Sequence, residues 1–380
     1  MVAMRWGMGR WASLAGGLLT LVLGGCAEPG RGLLMPVADV SGVTRPRMML
    51  AVTTRVPAAE PAGRLFSGER SDGMRYASLT MSLPGGRLPG SVPTDADRPD
   101  PAKHISLVAV RELDSAGFAA ALRAAGPGKR RALVFTHGYN TRFDQAVVRL
   151  AQIVDDTGYA GLPILFSWPS RGGVRDYGYD KDSANFSRDA MAELLARLAR
   201  DPGIAGIDIF AHSMGNWLTM ETLRQLSIAG DQKTLGRLGT IVLAAPDIDM
   251  DVFRTQIARL RPLTSRIVLY ASQDDYALDL SRRLFGGKIR AGANTDLGQF
   301  RALGIEAHDL SKVTGGVGRN HNKAFGDATT IAKIGQAISH GSGGDRQGGG
   351  SLNERIESLG RSVTLLGDAL IPGLAPDASR

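Results

Sequence analysis

The stretch IDIFAHSMGNWL, residues 207–218, decides how the chain folds. A short apolar run ends at His212 and Ser213, and after Gly215 the sequence continues as an apparent helix. Strand, tight turn and helix together are the context of a nucleophile elbow, in which the turn lifts a serine hydroxyl above the sheet. Gly215 fits this turn because the neighbours of the nucleophile must be small, whereas Ala211 stands where the first glycine usually lies. The alternative is an ordinary strand–helix turn in which Ser213 is only a helix N-cap.

On both sides of this stretch the chain alternates short apolar runs with amphipathic segments. Strands are predicted at 48–55, 76–84, 104–113, 131–138, 163–170, 207–213, 240–247, 266–272 and 304–310, and helices at 143–158, 187–200, 216–230, 251–260 and 327–338. Near-continuous apolar strands that alternate with helices predict an α/β fold, with a mostly parallel sheet covered on both faces and extra N-terminal strands. Polar segments at the carboxyl ends of the strands then gather at one edge of the sheet. The polar stretch 170–186 predicts a solvated loop beside that edge.

A serine hydroxyl becomes a nucleophile only when a base takes its proton and an acid orients that base. His321, in the glycine-rich segment GGVGRNHNKAF before the last helix, is the predicted base. We favour it over His308, which lies within a predicted strand. Asp275, in LYASQDDYAL after a late strand, is the predicted acid, and Asp247 after the preceding strand is the alternative. Asp247 and Asp249 could instead cap the helix that follows them.

An oxyanion that forms during acyl transfer needs hydrogen-bond donors close to the nucleophile. One predicted donor is the amide of Met214, at the start of the helix that follows the elbow. The second is the amide of Tyr139 in FTHGYNT, residues 135–141, which follows an earlier strand. Asn140 is the next candidate, through its side chain. His137 is predicted to brace this loop rather than to act as the base.

Several separated segments of the chain, in order between about Met49 and about Ile338, resemble one known family. They are AVTTR, YASLTMSLPGG, DPAKHISL, FTHGYNT, FSWPSRG, FAHSMGNWL, LAAPDIDMDVF, LYASQDDYAL and GRNHNKAF. With these segments the chain resembles a bacterial family of α/β-hydrolases of unknown function within the esterase/lipase superfamily. The resemblance implies that Ser213, Asp275 and His321 occupy the triad positions and that HGYNT forms the oxyanion loop.

The predicted elbow, triad and oxyanion donors together favour a serine hydrolase that cleaves carboxylic esters of small molecules through an acyl-enzyme, with no metal and no cofactor; the family resemblance itself implies no substrate. A calcium site at Asp247, Asp249 and Asp251 is not predicted, because the segment lacks the Gly and Glu positions of an EF-hand loop. Only about twenty residues separate the predicted strands 240–247 and 266–272, too few for a large lid, so we expect an open cleft for short acyl esters. Two alternatives remain: acyl transfer by the same triad, and a non-catalytic envelope scaffold that keeps the fold.

The first 46 residues are expected to target and tether the domain. Residues 1–25 have arginines before an apolar stretch and small residues after it, which predicts an export signal. Leu-Gly-Gly-Cys26 resembles the bacterial lipobox, and Cys26 is the only cysteine in the sequence. We therefore expect lipidation of Cys26 and an outer-membrane anchor facing the periplasm, against the alternative of a plain secretory signal with an incidental cysteine. Residues 26–46 predict a flexible tether, and residues 47–340 the hydrolase domain.

The remaining sequence predicts a linker and a tail. Residues 341–351 are rich in Gly and Ser, as in flexible linkers. Residues 352–380 contain an apolar stripe at helical spacing, which fits a membrane, a protein partner or the chain's own domain. The formal net charge is +8, but the Lys and Arg residues are scattered, so no nucleic-acid partner is expected.

Overall fold

In a computed structural model of the 380-residue protein, the structure describes residues 32–38, 44–59, 62–125, 130–313 and 321–339. The predicted export signal, Cys26, the linker and the C-terminal tail lie outside the described residues. In the part of the chain that is described, no helix combines the length and the apolar character needed to cross a membrane.

Nine strands of the described chain form one sheet in the order β3-β2-β1-β5-β4-β6-β7-β8-β9. They are β1 (Thr44–Pro57), β2 (Phe66–Pro84), β3 (Ser106–Leu113), β4 (Arg130–Thr136), β5 (Leu162–Ser167), β6 (Ile204–His212), β7 (Leu238–Ala244), β8 (Ile267–Ala271) and β9 (Glu306–Asp309). Strands β1 and β4 to β9 pair in parallel, whereas β2 is antiparallel to both β1 and β3. The predicted α/β-hydrolase fold, a mostly parallel sheet with additional N-terminal strands, is confirmed.

Helices cover both faces of this sheet. They are α1 (Ser115–Ala124), α2 (Phe143–Thr157), α3 (Tyr177–Phe186), α4 (Arg188–Arg200), α5 (Met214–Ile228), α6 (Gln232–Gly236), α7 (Met250–Arg259), α8 (Tyr276–Phe285), α9 (Leu297–Ala302), α10 (Lys323–Gly326) and α11 (Ala328–Ser339). Alternate residues of β4 enter separate cores: Val134 packs on the same side as Leu195 of α4, and Leu133 on the same side as Val147 of α2. Because both faces of the strand are buried, its sequence is a continuous apolar run rather than an alternating one.

The functional edge of the sheet is set by the order β5-β4-β6. The connection after β4 leads to its neighbour β5 on one side. The connection after β6, which lies on the other side of β4, leads further away from β4 to β7, so the two connections diverge. Ligands in open α/β sheets bind at such a point, outside the carboxyl ends of the strands. The loop 137–142 and Ser213 both lie there.

Two predicted segments differ in the structure, and helices α1, α6, α8, α9 and α10 were not predicted. Strand β2 begins at Phe66 rather than at residue 76, because its first half is polar and contains glycines that hide the strand pattern. Most of the stretch 170–186, predicted as a solvated loop, is helix α3. Its buried positions include Asp180 and Ser183, so the helix carries no apolar stripe by which the sequence could reveal it.

Part of the segment expected to be a tether packs on the domain. Leu34 is only 1% exposed. The Leu33 N–H donates to Oδ2 of Asp144 in α2 at 2.9 Å, and the Val37 N–H donates to the carbonyl of Leu107 in β3 at 2.8 Å. Residues 32–38 are therefore held against the sheet and against α2.

Candidate active site

Ser213 sits in a strained turn between β6 and α5. Its φ of 52° and ψ of −122° place a residue with a side chain in the positive-φ region, which costs on the order of 1–3 kcal/mol. The surrounding backbone holds it there: the Ser213 N–H donates to Ala244 O at 3.0 Å, and Asp247 N–H donates to Ser213 O at 3.3 Å. Asn216 Nδ2 bridges Ser213 O and Ala244 O at 3.0 and 2.9 Å. The geometry is that of a nucleophile elbow, not of a serine N-cap, since the Ser213 side chain makes no cap hydrogen bond.

Glycines allow the elbow and the loop after β4 to pack backbone against backbone. A Cβ on Gly215 would lie 2.4 Å from His137 O and 2.7 Å from Thr136 O. A Cβ on Gly138 would lie 2.8 Å from the Cβ of Ser213. Both distances are shorter than real Cβ contacts, so larger residues at either position would push the predicted oxyanion loop away from the serine.

The structure brings the predicted acid and base together. His321 Nδ1 lies 2.7 Å from Oδ2 of Asp275, and the two side chains are 15% and 1% exposed. The other carboxylate oxygen of Asp275 caps α8, where it accepts the N–H groups of Ala277 and Leu278 at 3.0 and 3.1 Å. Both oxygens are therefore fixed, and an Nδ1–H that donates to Asp275 leaves Nε2 as the proton acceptor.

The same pair changes the basicity of the ring. Burial opposes protonation of His321, but the adjacent Asp275 carboxylate outweighs it, and the pKa of His321 is raised above its usual 6.5. A raised pKa makes the neutral ring a stronger base and stabilises the imidazolium that forms when a hydroxyl proton is taken.

Asp247, the alternative acid, lies in a different network. Its carboxylate accepts hydrogen bonds from Tyr177 Oη and Ser281 Oγ, both at 2.9 Å, and it pairs with Arg290 at 3.3 Å. Asp249 caps α7 by accepting the Asp251 N–H at 2.9 Å. Of the two candidate acids, Asp275 is the one that contacts His321. Asp247 instead connects Tyr177 of α3 with Ser281 of α8 and Arg290.

His308, which the sequence ranks behind His321 as the base, belongs to the edge strand β9. Its Nε2 lies 2.9 Å from Oε1 of Glu306, and its ring stacks on Tyr270 at 5.1 Å. Its contacts are therefore with the strands at the end of the sheet rather than with Asp275.

The predicted oxyanion donors differ in availability. Asn140, with a φ of 55°, donates its backbone N–H to Asp180 Oδ2 at 3.1 Å, so its backbone amide is already committed, while its side chain, the predicted alternative donor, is exposed at the cavity described below. Within the described residues the Tyr139 N–H has no acceptor. The Met214 N–H belongs to the first residue of α5, where a helix offers no intrahelical acceptor. These two amides remain available to a ligand.

A buried arginine that the sequence prediction missed supports this loop from below. Arg55 is 0% exposed and donates to Ser170 O at 2.8 Å and to Thr141 O at 2.9 Å. Burial lowers the pKa of Arg55 to about 9. Arg55 Nη2 also lies 3.2 Å from His137 Nε2. The one sequence signal is an arginine at the end of the apolar run AVTTR, with no charge pattern to show its partners.

His137 links this arginine to the oxyanion loop. Burial and the neighbouring Arg55 lower the pKa of His137 to about 3, so the ring is neutral. A neutral ring that accepts from Arg55 at Nε2 carries its proton on Nδ1, which lies 2.8 Å from Gly138 O. His137 thus braces the loop, as the sequence predicts.

His212 contacts the base through its backbone. Burial lowers the pKa of His212 well below 6.5, with a further contribution from His321. The ring is neutral, and its Nε2–H donates to the backbone carbonyl of His321 at 3.2 Å. Its ring centroid lies 4.8 Å from that of His321 and 4.9 Å from that of Phe325. His212 therefore supports the segment that presents the base.

The sequence model of a family described as "Alpha/beta hydrolase of unknown function (DUF900)" matches residues 118–336. The chain belongs to this family. An uncharacterized protein of Nostoc sp. (strain PCC 7120), alr1448, is 29% identical over 119 residues, covering 25% of this chain and 31% of the relative. The chain thus matches about a third of that relative's length.

Solved structures similar to this α/β hydrolase include esterases. A Pyrobaculum calidifontis esterase is 12% identical, with 57% of this chain and 78% of that chain covered and a TM-score of 0.33. A thermostable esterase from Pseudomonas putida ECU1011 is 10% identical, with coverage of 80% and 84% and a TM-score of 0.34. Likenesses this distant say nothing about the substrate of the present hydrolase.

The site of this α/β hydrolase opens on a cavity of about 400 Å³. Its lining includes the loop 138–141, His212, His321, Arg149 of α2 and Phe325 of α10, but not Ser213 or Asp275. A larger cavity of about 750 Å³ lies along the edge strand β9, but neither Asp275 nor His321 contributes to its walls. Across the described ranges, no cluster of three or more His, Cys, Asp or Glu side chains is arranged to hold a metal ion.

Proposed function

We propose that this α/β hydrolase is a serine hydrolase that cleaves carboxylic esters through an acyl-enzyme, with Ser213 as nucleophile, His321 as general base and Asp275 as the orienting acid. The observation that carries the proposal is the 2.7 Å hydrogen bond between His321 Nδ1 and the buried Asp275 carboxylate. The carbonyl of the same His321 accepts a hydrogen bond from His212, the residue before the strained Ser213. An ordinary strand–helix turn requires neither strain at the serine nor a buried His–Asp pair held by the residue before it.

The proposed reaction has two stages. Ser213 Oγ attacks the ester carbonyl carbon while Nε2 of His321 takes the hydroxyl proton, and the carbonyl oxygen becomes an oxyanion. The oxyanion accepts hydrogen bonds from the free backbone N–H groups of Tyr139 and Met214. When the intermediate collapses, the carbon–oxygen bond of the leaving alcohol breaks, and the imidazolium returns the proton to that alcohol. Water then attacks the acyl-enzyme by the same route and releases the carboxylic acid.

The residues that surround the proposed oxyanion site suit this chemistry. The positive end of α5 and the loop held by Arg55 and His137 are fixed before substrate binds, and preorganised donors are worth more than donors that must reorient. Loss of one oxyanion donor in such sites costs on the order of 10²–10³ in rate. A helix N-terminus and a loop that are already held by hydrogen bonds support the proposed oxyanion site.

Labelling with a fluorophosphonate probe tests the proposal. The purified wild-type protein should label, and Ser213→Ala should not. Ser227→Ala is the matched control: it removes a hydroxyl from the far end of the same helix, where the side chain donates to Arg259 O at 2.8 Å. Hydrolysis of p-nitrophenyl butyrate should fall by on the order of 10⁴–10⁶ in Ser213→Ala and in His321→Ala. A folded wild-type protein that neither labels nor hydrolyses the ester would overturn the proposal.

We also propose that the chain is exported and anchored to the outer membrane through a lipid on Cys26, facing the periplasm. The support is the sequence alone: Arg5 and Arg10 precede an apolar stretch that ends in Leu-Gly-Gly-Cys. Radiolabelled palmitate should enter the wild-type protein in a bacterial host, and the protein should fractionate with membranes. Cys26→Ser should lose both properties. Membrane fractionation that persists without any lipid label would contradict this anchor.

A further inference from the structure

The cavity beside the proposed catalytic residues is unbalanced in charge. Among its described lining residues, Arg149 carries the one permanent charge, and no Asp or Glu lines it. Its other polar walls are neutral hydroxyl, amide and imidazole groups, such as those of Thr94, Asn140 and Gln145. A cavity of this composition attracts an anion and repels a cation.

Arg149 is directed to this cavity by α2. Gln145, Val148 and Arg149 line the cavity together at spacings of three and four residues, which places them on one face of the helix. The guanidinium lies 4.9 Å from the ring centroid of Phe325. Phe325 contacts the ring of His212, which in turn contacts the ring of His321. Three successive ring contacts thus connect the arginine with the proposed base.

The positive charge of Arg149 is not neutralised within the described protein. The one acceptor that contacts it there is the amide oxygen of Gln152. Other arginines near the site have carboxylate partners: Arg142 pairs with Asp144 at 3.1 Å and Arg171 with Glu69 at 3.0 Å.

The half-buried position of Arg149 carries an electrostatic penalty. Burial lowers the pKa of Arg149 to about 10, and the more distant Asp156 offsets this only in part. The side chain remains protonated at neutral pH, so the cavity keeps its charge. An unpaired, partly desolvated cation opposes folding, and a bound anion would relieve that penalty.

We propose that Arg149 binds a carboxylate carried by the ester substrate, away from the scissile carbonyl. The planar guanidinium still has free N–H donors, and it matches a carboxylate in two parallel hydrogen bonds. With a single cation in the described lining, a monoanion balances the charge, whereas a phosphate dianion would stay partly unneutralised. The inference rests on the proposed ester hydrolysis and specifies its substrate class as anionic esters.

Two pairs of esters test this specificity. In the first pair the carboxylate is on the acyl side: mono-p-nitrophenyl succinate is compared with p-nitrophenyl butyrate. In the second pair it is on the alcohol side: 4-acetoxybenzoate is compared with its neutral methyl ester. For at least one pair, kcat/KM of the wild type should favour the anionic ester by about 10- to 100-fold, the range expected for a charged hydrogen bond. The preference should decrease with added salt.

Arg149→Met should bring that ratio to within about threefold of one, and Arg149→Lys should keep part of it. Arg171→Met is the matched control, because it removes an arginine that already has a carboxylate partner and should leave the ratio unchanged. Fluorophosphonate labelling of each variant reports whether its active site is intact. A wild type that hydrolyses both neutral esters but prefers neither anionic ester would overturn the proposal. So would a preference that survives Arg149→Met. Wild-type protein that neither reacts with the fluorophosphonate probe nor cleaves any of the four esters would instead refute the proposed function.

Discussion

Asp275→Asn should abolish the proposed ester hydrolysis without unfolding the protein. The asparagine oxygen can still accept the N–H groups of Ala277 and Leu278 that Asp275 Oδ1 now accepts, so the N-cap of α8 survives. Its amide would face His321 Nδ1 at the position where Oδ2 now lies 2.7 Å away. Two N–H donors cannot bond each other, so the imidazole must move its proton to Nε2, the atom that has to accept the serine proton. A wrong tautomer of this kind costs on the order of 10⁴ in kcat.

The stability of that variant should change little. The lost interaction is the single hydrogen bond to His321, which contributes about 1–2 kcal/mol. Asp247→Asn is the matched comparison, because it makes the same chemical change in the other candidate acid. It weakens contacts to Tyr177, Ser281 and Arg290 and should cost about 1–3 kcal/mol of unfolding free energy. Its kcat should stay within about tenfold of the wild type, because Asp247 does not contact His321.

Two measurements on each variant separate these outcomes. Initial rates with p-nitrophenyl butyrate at pH 8 report kcat, and urea unfolding followed by tryptophan fluorescence reports the free energy of unfolding. The reasoning fails if Asp247→Asn loses the 10⁴-fold expected of the other variant while Asp275→Asn remains active. It also fails if Asp275→Asn loses activity only because it unfolds.

Three further outcomes follow from the geometry of the site. Gly215→Ala should lower kcat by on the order of 10², since its methyl group must displace His137 by about 1 Å. Gly178→Ala is the control, because a Cβ there meets nothing within 4 Å, and it should leave the free energy of unfolding unchanged or raise it by up to about 1 kcal/mol. Equal kcat values in the two variants would refute the close approach of Gly215 to His137. Lys323→Met removes a buried ammonium that donates to both carboxylate oxygens of Asp274 at 2.8 Å and so joins the segment of Asp275 to the segment of His321. We expect kcat to fall about 10- to 100-fold with KM little changed, and Lys323→Arg to retain more activity. An unchanged kcat in Lys323→Met would show that the ion pair has no positioning role. The proposed base, His321, acts in its neutral form, and its pKa is raised above 6.5 by Asp275. We therefore expect kcat/KM to fall as the pH is lowered through that raised pKa, and the residual activity of Asp275→Asn to fall at a lower pH. A pH profile that does not change with this substitution would contradict the proposed pair.

Local sequence was sufficient for the elements that bear the site. Strand β6, the turn at Ser213 and helix α5 were all readable from an apolar run, small residues and a helical pattern in adjacent positions. These features depend on neighbours in the chain, and periodicity and steric size encode such neighbours directly. The turn pattern also indicated Gly215, although the atoms that a Cβ there would meet, His137 O and Thr136 O, come from a distant segment.

The partners of the site residues could not be read in that way. Asp247 and Asp275 have similar local sequences, each following a strand and preceding a helix, and only the packing of α8 and the His321 segment brings one of them to the base. Arg55 meets Thr141, which lies 86 residues further along the chain. Arg149 and His321 line the same cavity because α2 packs against the segment that contains Phe325. Contacts between distant segments are selected by how whole elements pack, which no local pattern records. The sequence by itself therefore determined the order of the strands, the elbow and its serine, while the tertiary structure decided which acid faces the histidine and which charge faces the cavity.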